Sequence, residues 1–533
     1  MTPQANAVVI IGGGIAGLAT AALLARDGRR VTLLEQQDAV GGRAGLWESG
    51  GFRFDTGPSW YLMPEVFDHF FRLLGTTTAD QLDLVALDPG YRVFFEQGGE
   101  PLDVVADRDA NRVMFERVEA GGGAAFDRYM MSARETYRLA VDKFLYGTFQ
   151  SFRPLFSADL VRRLGRLGRL LLQPLDRFVA GRFRDARLRQ ILGYPAVFLG
   201  TSPSRAPSMY HLMSHLDLED GVRYPLGGFR TLIDRIAALA EREGVTIETG
   251  ARVTAIRSLD RTGKPAVAGV DYVDADGVAR RIDAATVVSA ADLHHTETDL
   301  LPEDRRSRPE KWWSSRDPGP GAVLVLLGVR GELPALAHHS LFFTSDWDDN
   351  FDRIFGADPS IPDPASLYVC RPSATDPSVA PDGHENLFML VPVPADPEIG
   401  SGGVDGAGDE RVERTADAAI RQVAAWAGIP DLAERIVVRR TIGPGDFVSD
   451  LNAWRGGALG PGHTLRQSAF FRGRNASSAV DGLFYAGGST IPGVGLPMCL
   501  ISAELVVKRL RGDITTAPLA EPIAATVHGE RVA

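Results

Sequence analysis

The sequence predicts an α/β chain built on a dinucleotide-binding parallel sheet, with a mixed α+β domain threaded through it. Three observations carry this. An apolar strand over 7–11 runs into Gly12-x-Gly14-x-x-Gly17 and then into a helix of small and apolar residues over 18–24. A second strand, 31–34, ends on Glu35, eighteen residues beyond Gly17. Segments of nucleotide-binding character return near 222 and near 440, with stretches of another kind between them.

Each part of the opening motif has a physical job. Gly12 permits a tight turn, Gly14 lets the backbone approach a pyrophosphate, and Gly17 lets the helix pack closely on the sheet. The helix N-terminus offers free N–H groups and a positive dipole end to phosphates, and Ile15 and Ala16, between Gly14 and Gly17, join the expected cofactor set. Glu35 stands where an acid accepts hydrogen bonds from ribose hydroxyls.

A chain of 533 residues exceeds one core and implies at least two domains. Its 44% hydrophobic and 23% charged residues are those of an ordinary globular protein. A net charge of −11 argues against nucleic acid as a partner, since phosphate binding needs a basic surface. Cys370 and Cys499 form no disulfide framework and no metal-type spacing, which fits a reducing cytoplasm. The first residues lack the basic n-region of a signal peptide. No run approaches the roughly 18 apolar residues of a membrane span. The longest apolar run, 322–329, has the length of a buried strand.

Short strands are expected at 91–95 and 102–105, followed by helical segments to about 221. Residues 223–228 lead a helix over 231–243, with Leu232, Ile233, Ile236 and Leu239 at helical spacing and Gly244 as its stop. Strands follow at 246–248, 252–256 and 286–292. Residues 399–409, low in complexity, are expected to be a mobile loop. Residues 482–488 read as a strand entering a turn, and 498–510 as the last helix. The expected cofactor domain is therefore 1–75, 222–300 and 440–512, and the second domain 76–221 and 301–439. A disordered tail is expected over 513–533.

After Glu35 come Gly41-Gly42-Arg43 and, after a short gap, Asp55-Thr56-Gly57-Pro58. This long fingerprint resembles that of the amine oxidase and phytoene desaturase group of flavoproteins. Blocks at 198–203, 207–210, 221–228, 366–378, 380–384, 390–394 and 483–497 are similar to bacterial carotenoid desaturases of the phytoene desaturase type. The resemblance implies FAD on a Rossmann-type domain, with Gly41, Gly42 and Arg43 over the pyrophosphate and Gly57 and Pro58 near the flavin ring. It also brings Val253, Gly487, Gly488, Gly495 and Leu496 into the cofactor set. The implied reaction is desaturation of phytoene, or a closely related acyclic carotene, by hydride transfer to flavin on the way to lycopene. The substrate site is then an apolar tunnel, and the terminal electron acceptor stays open. Rival readings are an amine or protoporphyrinogen oxidase of the same fold, or a non-catalytic lipid carrier.

The closing block departs from the family, most consequentially at Ile491. Many members read Gly-Ala-Gly-Thr-His-Pro-Gly where this chain has Gly487-Gly488-Ser489-Thr490-Ile491-Pro492-Gly493, so Ile491 removes a titratable imidazole beside the expected flavin face. Gly487 and Gly488 end a strand beside a helix N-terminus, where backbone N–H groups meet an anion or ring carbonyl. Gly493, Gly495 and Pro497 keep side chains away from a flat ring.

No catalytic side chain is assigned, and Asp55 reads as a turn acid. No metal site is expected. His211 and His215 lack the acid of an HExxH helix, and the adjacent pairs His294-His295 and His338-His339 should point apart. No GxSxG elbow occurs. Residues 153–189 carry ten arginines against three aspartates, interleaved with leucines. That pattern predicts a basic amphipathic segment at an anionic membrane surface, hence a peripheral membrane protein.

Overall fold

The computed structural model describes residues 6–150 and 158–524, with backbone only for 158–164. Five parallel strands form the nucleotide-binding sheet in the order Leu483–Tyr485, Thr286–Ser289, Ala7–Ile11, Arg30–Leu34, Thr246–Glu248. The central strand is buried at every position, as a parallel strand covered on both faces must be. Its side chains alternate. Val8 and Ile10 face the helices Ile15–Arg26, Phe229–Arg242 and Leu496–Arg511. Ala7, Val9 and Ile11 face an antiparallel layer of three strands, Arg252–Leu259, Ala266–Val273 and Ala279–Asp283.

The second domain is a seven-stranded sheet in the order Ile436–Ile442, Gly321–Arg330, His384–Val393, Leu367–Cys370, His339–Phe343, Tyr91–Phe95, Leu102–Val104. All neighbours are antiparallel except His339–Phe343 with Tyr91–Phe95. The long apolar run lies in Gly321–Arg330 and shows why it is apolar throughout. Val323, Val325, Leu327 and Val329 pack under the helix Glu410–Trp426, while Ala322, Leu324 and Leu326 turn to an aromatic layer on the opposite face.

That aromatic layer is backed by a buried acid. Tyr91 and Tyr194 both donate to Asp217 Oδ2, at 3.0 and 2.9 Å, and burial pushes the Asp217 carboxyl up to about 7. An unfolded aspartate titrates near 3.9, so the native state binds the extra proton between pH ~4 and ~7. Stability therefore falls as pH rises through that window and is level above it. In Asp217→Asn this component, at most about 1.4 kcal/mol per pH unit, should vanish from urea midpoints measured between pH 4 and 8. An unchanged slope would refute it.

Three expectations fail here. Residues 399–409 are not a mobile loop. Gly402 N donates to Asp446 Oδ2 at 2.6 Å and Asp405 N to Arg439 O at 3.0 Å. A Cβ on Gly402 would stand 2.0 Å from Thr441 O, so glycine there serves close backbone approach rather than flexibility. The expected disordered tail is packed as far as 524. Ile523 is buried and its N–H donates to Leu73 O, Leu519 N donates to Glu504, and Glu521 pairs with His69; residues 525–533 lie outside the described part. Finally, the rings of His338 and His339 do not diverge but meet edge to face at 4.6 Å. Only His339 belongs to the strand, so strand alternation does not govern the pair.

In the basic segment, helices run over Ala158–Leu172, Leu175–Ala180 and Ala186–Gly193. Leu170, Leu175, Phe178 and Leu188 are core, whereas Leu172 is 75% exposed. Arg166, Arg169, Arg177, Arg182, Arg184 and Arg189 are exposed. Arg153 and the side chains of Arg162 and Arg163 lie outside the described residues. No helix among the described residues is long and apolar enough to cross a membrane.

Candidate functional site

One cavity of about 1160 Å³ runs from the nucleotide cradle into the second domain. Every expected cofactor residue lines it except Gly17, which acts from behind. Gly17 lets its helix lie against the first turn: a Cβ there would come within 1.9 Å of Gly12 O. Gly12 has φ +94°, the left-handed backbone a tight turn demands. Gly14 is different. A Cβ on it would meet only Gly41 O at 3.9 Å, because its missing side chain faces the cavity.

Glu35 ends its strand beneath this turn and is buried. Its Oε2 accepts from Gly13 N at 2.6 Å and its Oε1 from Gln37 N at 2.9 Å, so it first orders the loop that would carry a ribose. Gly41 and Gly42 have φ +136° and +56°, and Gly42 sits so close to Gly14 that a Cβ would lie 3.3 Å from its Cα. Gly57 packs on Arg43 O, where a Cβ would stand 2.0 Å away. Val253 is buried beside the cradle.

Asp55 accepts from Phe229 N at 2.7 Å and Arg230 N at 3.0 Å, at the start of the helix Phe229–Arg242. Burial pushes its carboxyl up to about 6. It ties the segment before Gly57 to the start of that helix. Arg230 reinforces the junction, donating to Val40 O at 2.8 Å.

In the closing block, Gly487 has φ +108° and contacts Ala16 of the first helix. Its N–H is taken by Ser502 Oγ at 3.0 Å, which corrects the expectation that it faces an anion. A Cβ on Gly495 would make only ordinary contacts, at 3.9 Å from Pro497 and Met498, and Leu496 begins the final helix. Gly493 serves another purpose than expected. A Cβ on it would stand 2.2 Å from the imidazole of His463. The imidazole absent at Ile491 is thus matched by one from 28 residues upstream, held neutral by burial and accepting Val494 N–H on Nε2 at 3.2 Å.

Sequence reasoning missed His463, Arg472 and Asn475. Buried Arg472 donates to Gln467 O, Gly488 O and Thr490 O, and Asn475 Nδ2 donates to Ile491 O at 2.9 Å. They hold the glycine-rich block in place. The one available signal was a pair of polar residues at 472 and 475 in a stretch about to re-enter the core.

Beyond the cradle the cavity continues past Trp60, Phe198, Met209 and Leu390 to Phe149, Leu167, Leu171 and Phe470. Among its described lining residues in 56–63, 136–149, 167–171 and 198–216, none is Asp, Glu, Lys or Arg. Phe470 and Phe471 stand exposed at this end. His211 and His215 form no joint site: His211 is buried and bonded to Ser132 and Ser208, while His215 pairs with Glu219.

The cradle fits FAD. Arg43 donates through Nε to Ala458 O at 2.9 Å, yet its buried Nη2 has no partner, and a buried unpaired guanidinium nitrogen beside an open glycine cradle calls for an anion. Fold and cradle together define a flavin-dependent oxidoreductase.

The comparisons agree. The family model described as flavin containing amine oxidoreductase matches residues 15–511. A carotenoid 3,4-desaturase of Haloarcula japonica is 41% identical over 95% of this chain and 98% of its own. The phytoene dehydrogenase of Streptomyces griseus is 34% identical over 97% of each chain, and a zeta-carotene-forming phytoene desaturase of Myxococcus xanthus 33% over 95% and 94%. Among solved structures, an oxidoreductase from Methanosarcina mazei aligns with TM-score 0.60 at 16% identity over 94% of this chain and all of that one. Putrescine oxidase aligns with TM-score 0.58 at 15% identity over 96% and 99%. These last two attest the fold. The chain belongs to the flavin-containing amine oxidoreductases and, within them, to the phytoene desaturase family of FAD-dependent enzymes.

Proposed function

We propose that this enzyme desaturates phytoene, or a closely related acyclic carotene, in carotenoid biosynthesis toward lycopene. The observation that carries the reading is the cavity wall beyond the cofactor cradle, where the lining residues in 56–63, 136–149, 167–171 and 198–216 carry no charged side chain. A hydrocarbon has no polar handle, so only apolar walls can hold it. An amine substrate would leave its ammonium unpaired against the same walls. Bound FAD supplies the hydride acceptor that no side chain can provide. The chain's own residues orient the polyene and exclude water. Trp60, Phe198 and Phe388 give flat apolar surfaces to a conjugated chain, and Leu167, Leu171 and Phe470 line its way in.

Expression in a phytoene-accumulating bacterium tests this: coloured carotenes with longer-wavelength absorption are expected, and colourless cells holding folded, yellow flavoprotein would overturn it. The 41% identity to a carotenoid 3,4-desaturase favours a second reading, a new double bond at carbons 3 and 4 of an already conjugated carotenoid. A lycopene-accumulating host separates the two, because only the second reading reddens its pigment.

We also propose a cytoplasmic enzyme lodged on the membrane surface, since the apolar end of the cavity lies beside the exposed arginines of the helix Ala158–Leu172. Replacing Arg162, Arg163, Arg166 and Arg169 by Gln should lower binding to anionic liposomes by orders of magnitude, at about 1 kcal/mol per basic residue. High salt should imitate the change, and FAD content should hold. Parent-like liposome binding would make the segment an ordinary solvated surface.

A further inference from the structure

Desaturation removes a hydride and a proton, and residues 56–63, 136–149, 167–171 and 198–216 of the cavity wall offer no carboxylate to take the proton. Two tyrosines of the wall back onto buried imidazoles: Tyr210 onto His463 and Tyr368 onto His339, each at 2.7 Å. In the first pair the imidazole cannot take a proton from its tyrosine. His463 Nε2 accepts from Val494 N, so its Nδ1 carries the proton and donates to Tyr210. Tyr210 in turn donates to Ser468 Oγ, and Ser468 to Thr464 O.

The second pair is free to act. Beyond its bond to Tyr368, His339 has nothing on Nε2, and it is fully buried. The Tyr368 hydroxyl also meets Ser59 Oγ at 2.7 Å, directly after the Gly57-Pro58 segment that the family places near the flavin. The indole of Trp60 lies flat on the His339 ring, at 4.5 Å between centroids and 11° between planes. Such a π face stabilises an imidazolium.

Resting on the desaturase reading above, we propose that Tyr368 is the proton acceptor of the reaction and that His339 positions it and holds the proton that Tyr368 hands over. The carbon–hydrogen bond beside the carbon that has lost hydride breaks, and its electron pair becomes the second bond of the new double bond. The proton goes to Tyr368 Oη, whose own proton passes to His339 Nδ1. It leaves by the same path through half-buried Ser59. The carbon acid is an allylic cation, so a hydroxyl backed by a neutral imidazole is base enough. His339 is kept neutral beforehand by its burial.

The test uses the holoenzyme with an acyclic carotene in vesicles. Tyr368→Phe keeps the ring and its packing; turnover should fall by about 100-fold or more, the usual weight of a positioned general base, with FAD content and KM unchanged. His339→Gln should lower kcat similarly without moving KM. A readout independent of turnover is the 15N spectrum of the histidines in apoprotein. There His339 Nδ1 should resonate as an unprotonated acceptor and shift in Tyr368→Phe. Parent-like kcat in a folded Tyr368→Phe, an effect on KM alone in His339→Gln, or a protonated Nδ1 would each overturn the proposal. Failure of the desaturase reading looks different: the parent itself is then inactive on every carotene, and the proposal falls with it.

Discussion

Gly14→Val should give a folded protein that no longer retains FAD. The backbone at Gly14, φ −69° and ψ 173°, is an extended conformation that valine adopts readily. A Cβ there meets no protein atom nearer than 3.9 Å. Folding is therefore spared, while both methyls project into the space where the pyrophosphate lies on the backbone. Overpacking a fitted contact costs about 3 kcal/mol at its upper end, roughly a hundredfold in affinity. Flavin absorbance after gel filtration, beside an unchanged far-UV spectrum, measures it. A folded variant with stoichiometric FAD would remove the cradle assignment.

Arg472→Met is expected to damage both stability and cofactor retention. The buried guanidinium donates to three carbonyls, on Gln467, Gly488 and Thr490. Burial lowers its pKa only to about 10, so it stays charged at neutral pH. Methionine matches its length and supplies no donor. Leaving three buried carbonyls unpaired costs about 3 kcal/mol or more, and the 487–495 block loses its anchor. The melting temperature should drop, and FAD should dissociate before the protein unfolds. Lysine restores the charge without the planar fork and should recover only part of the loss. Parent-like melting of Arg472→Met would show that the block holds itself.

What the sequence made legible was local. The roles of Gly12, Gly14 and Gly17 follow from a strand-turn-helix pattern within a dozen residues, and the run at 322–329 has the length of one buried strand. What it hid acts across long separations without any periodicity. Arg472, Asn475 and His463 bind loop carbonyls and N–H groups, and no spacing rule marks them. Glycine misled twice for one reason. At 399–409 composition suggested mobility, and at Gly493 a surface for the flavin, whereas in both places the missing side chain makes room for another part of the chain. The cofactor set was readable because its residues stand in motifs; Tyr368 and His339 were not, since they come together only through pairing of the two strands that carry them.

The order of the parallel sheet has a consequence for how the chain is made. Its central strand, Ala7–Ile11, leaves the ribosome first, but the strand Leu483–Tyr485 at the far edge follows about 470 residues later. At synthesis rates of roughly 5–20 residues per second, the interval is about 25–95 seconds. Throughout it, the helix Ile15–Arg26 lacks the apolar face of Leu496–Arg511 that buries it. The nascent chain thus carries an uncovered apolar helix face and an unpaired strand edge until residues 483–511 have been made, and the nucleotide cradle is complete only once its closing block, 487–496, has followed its opening motif.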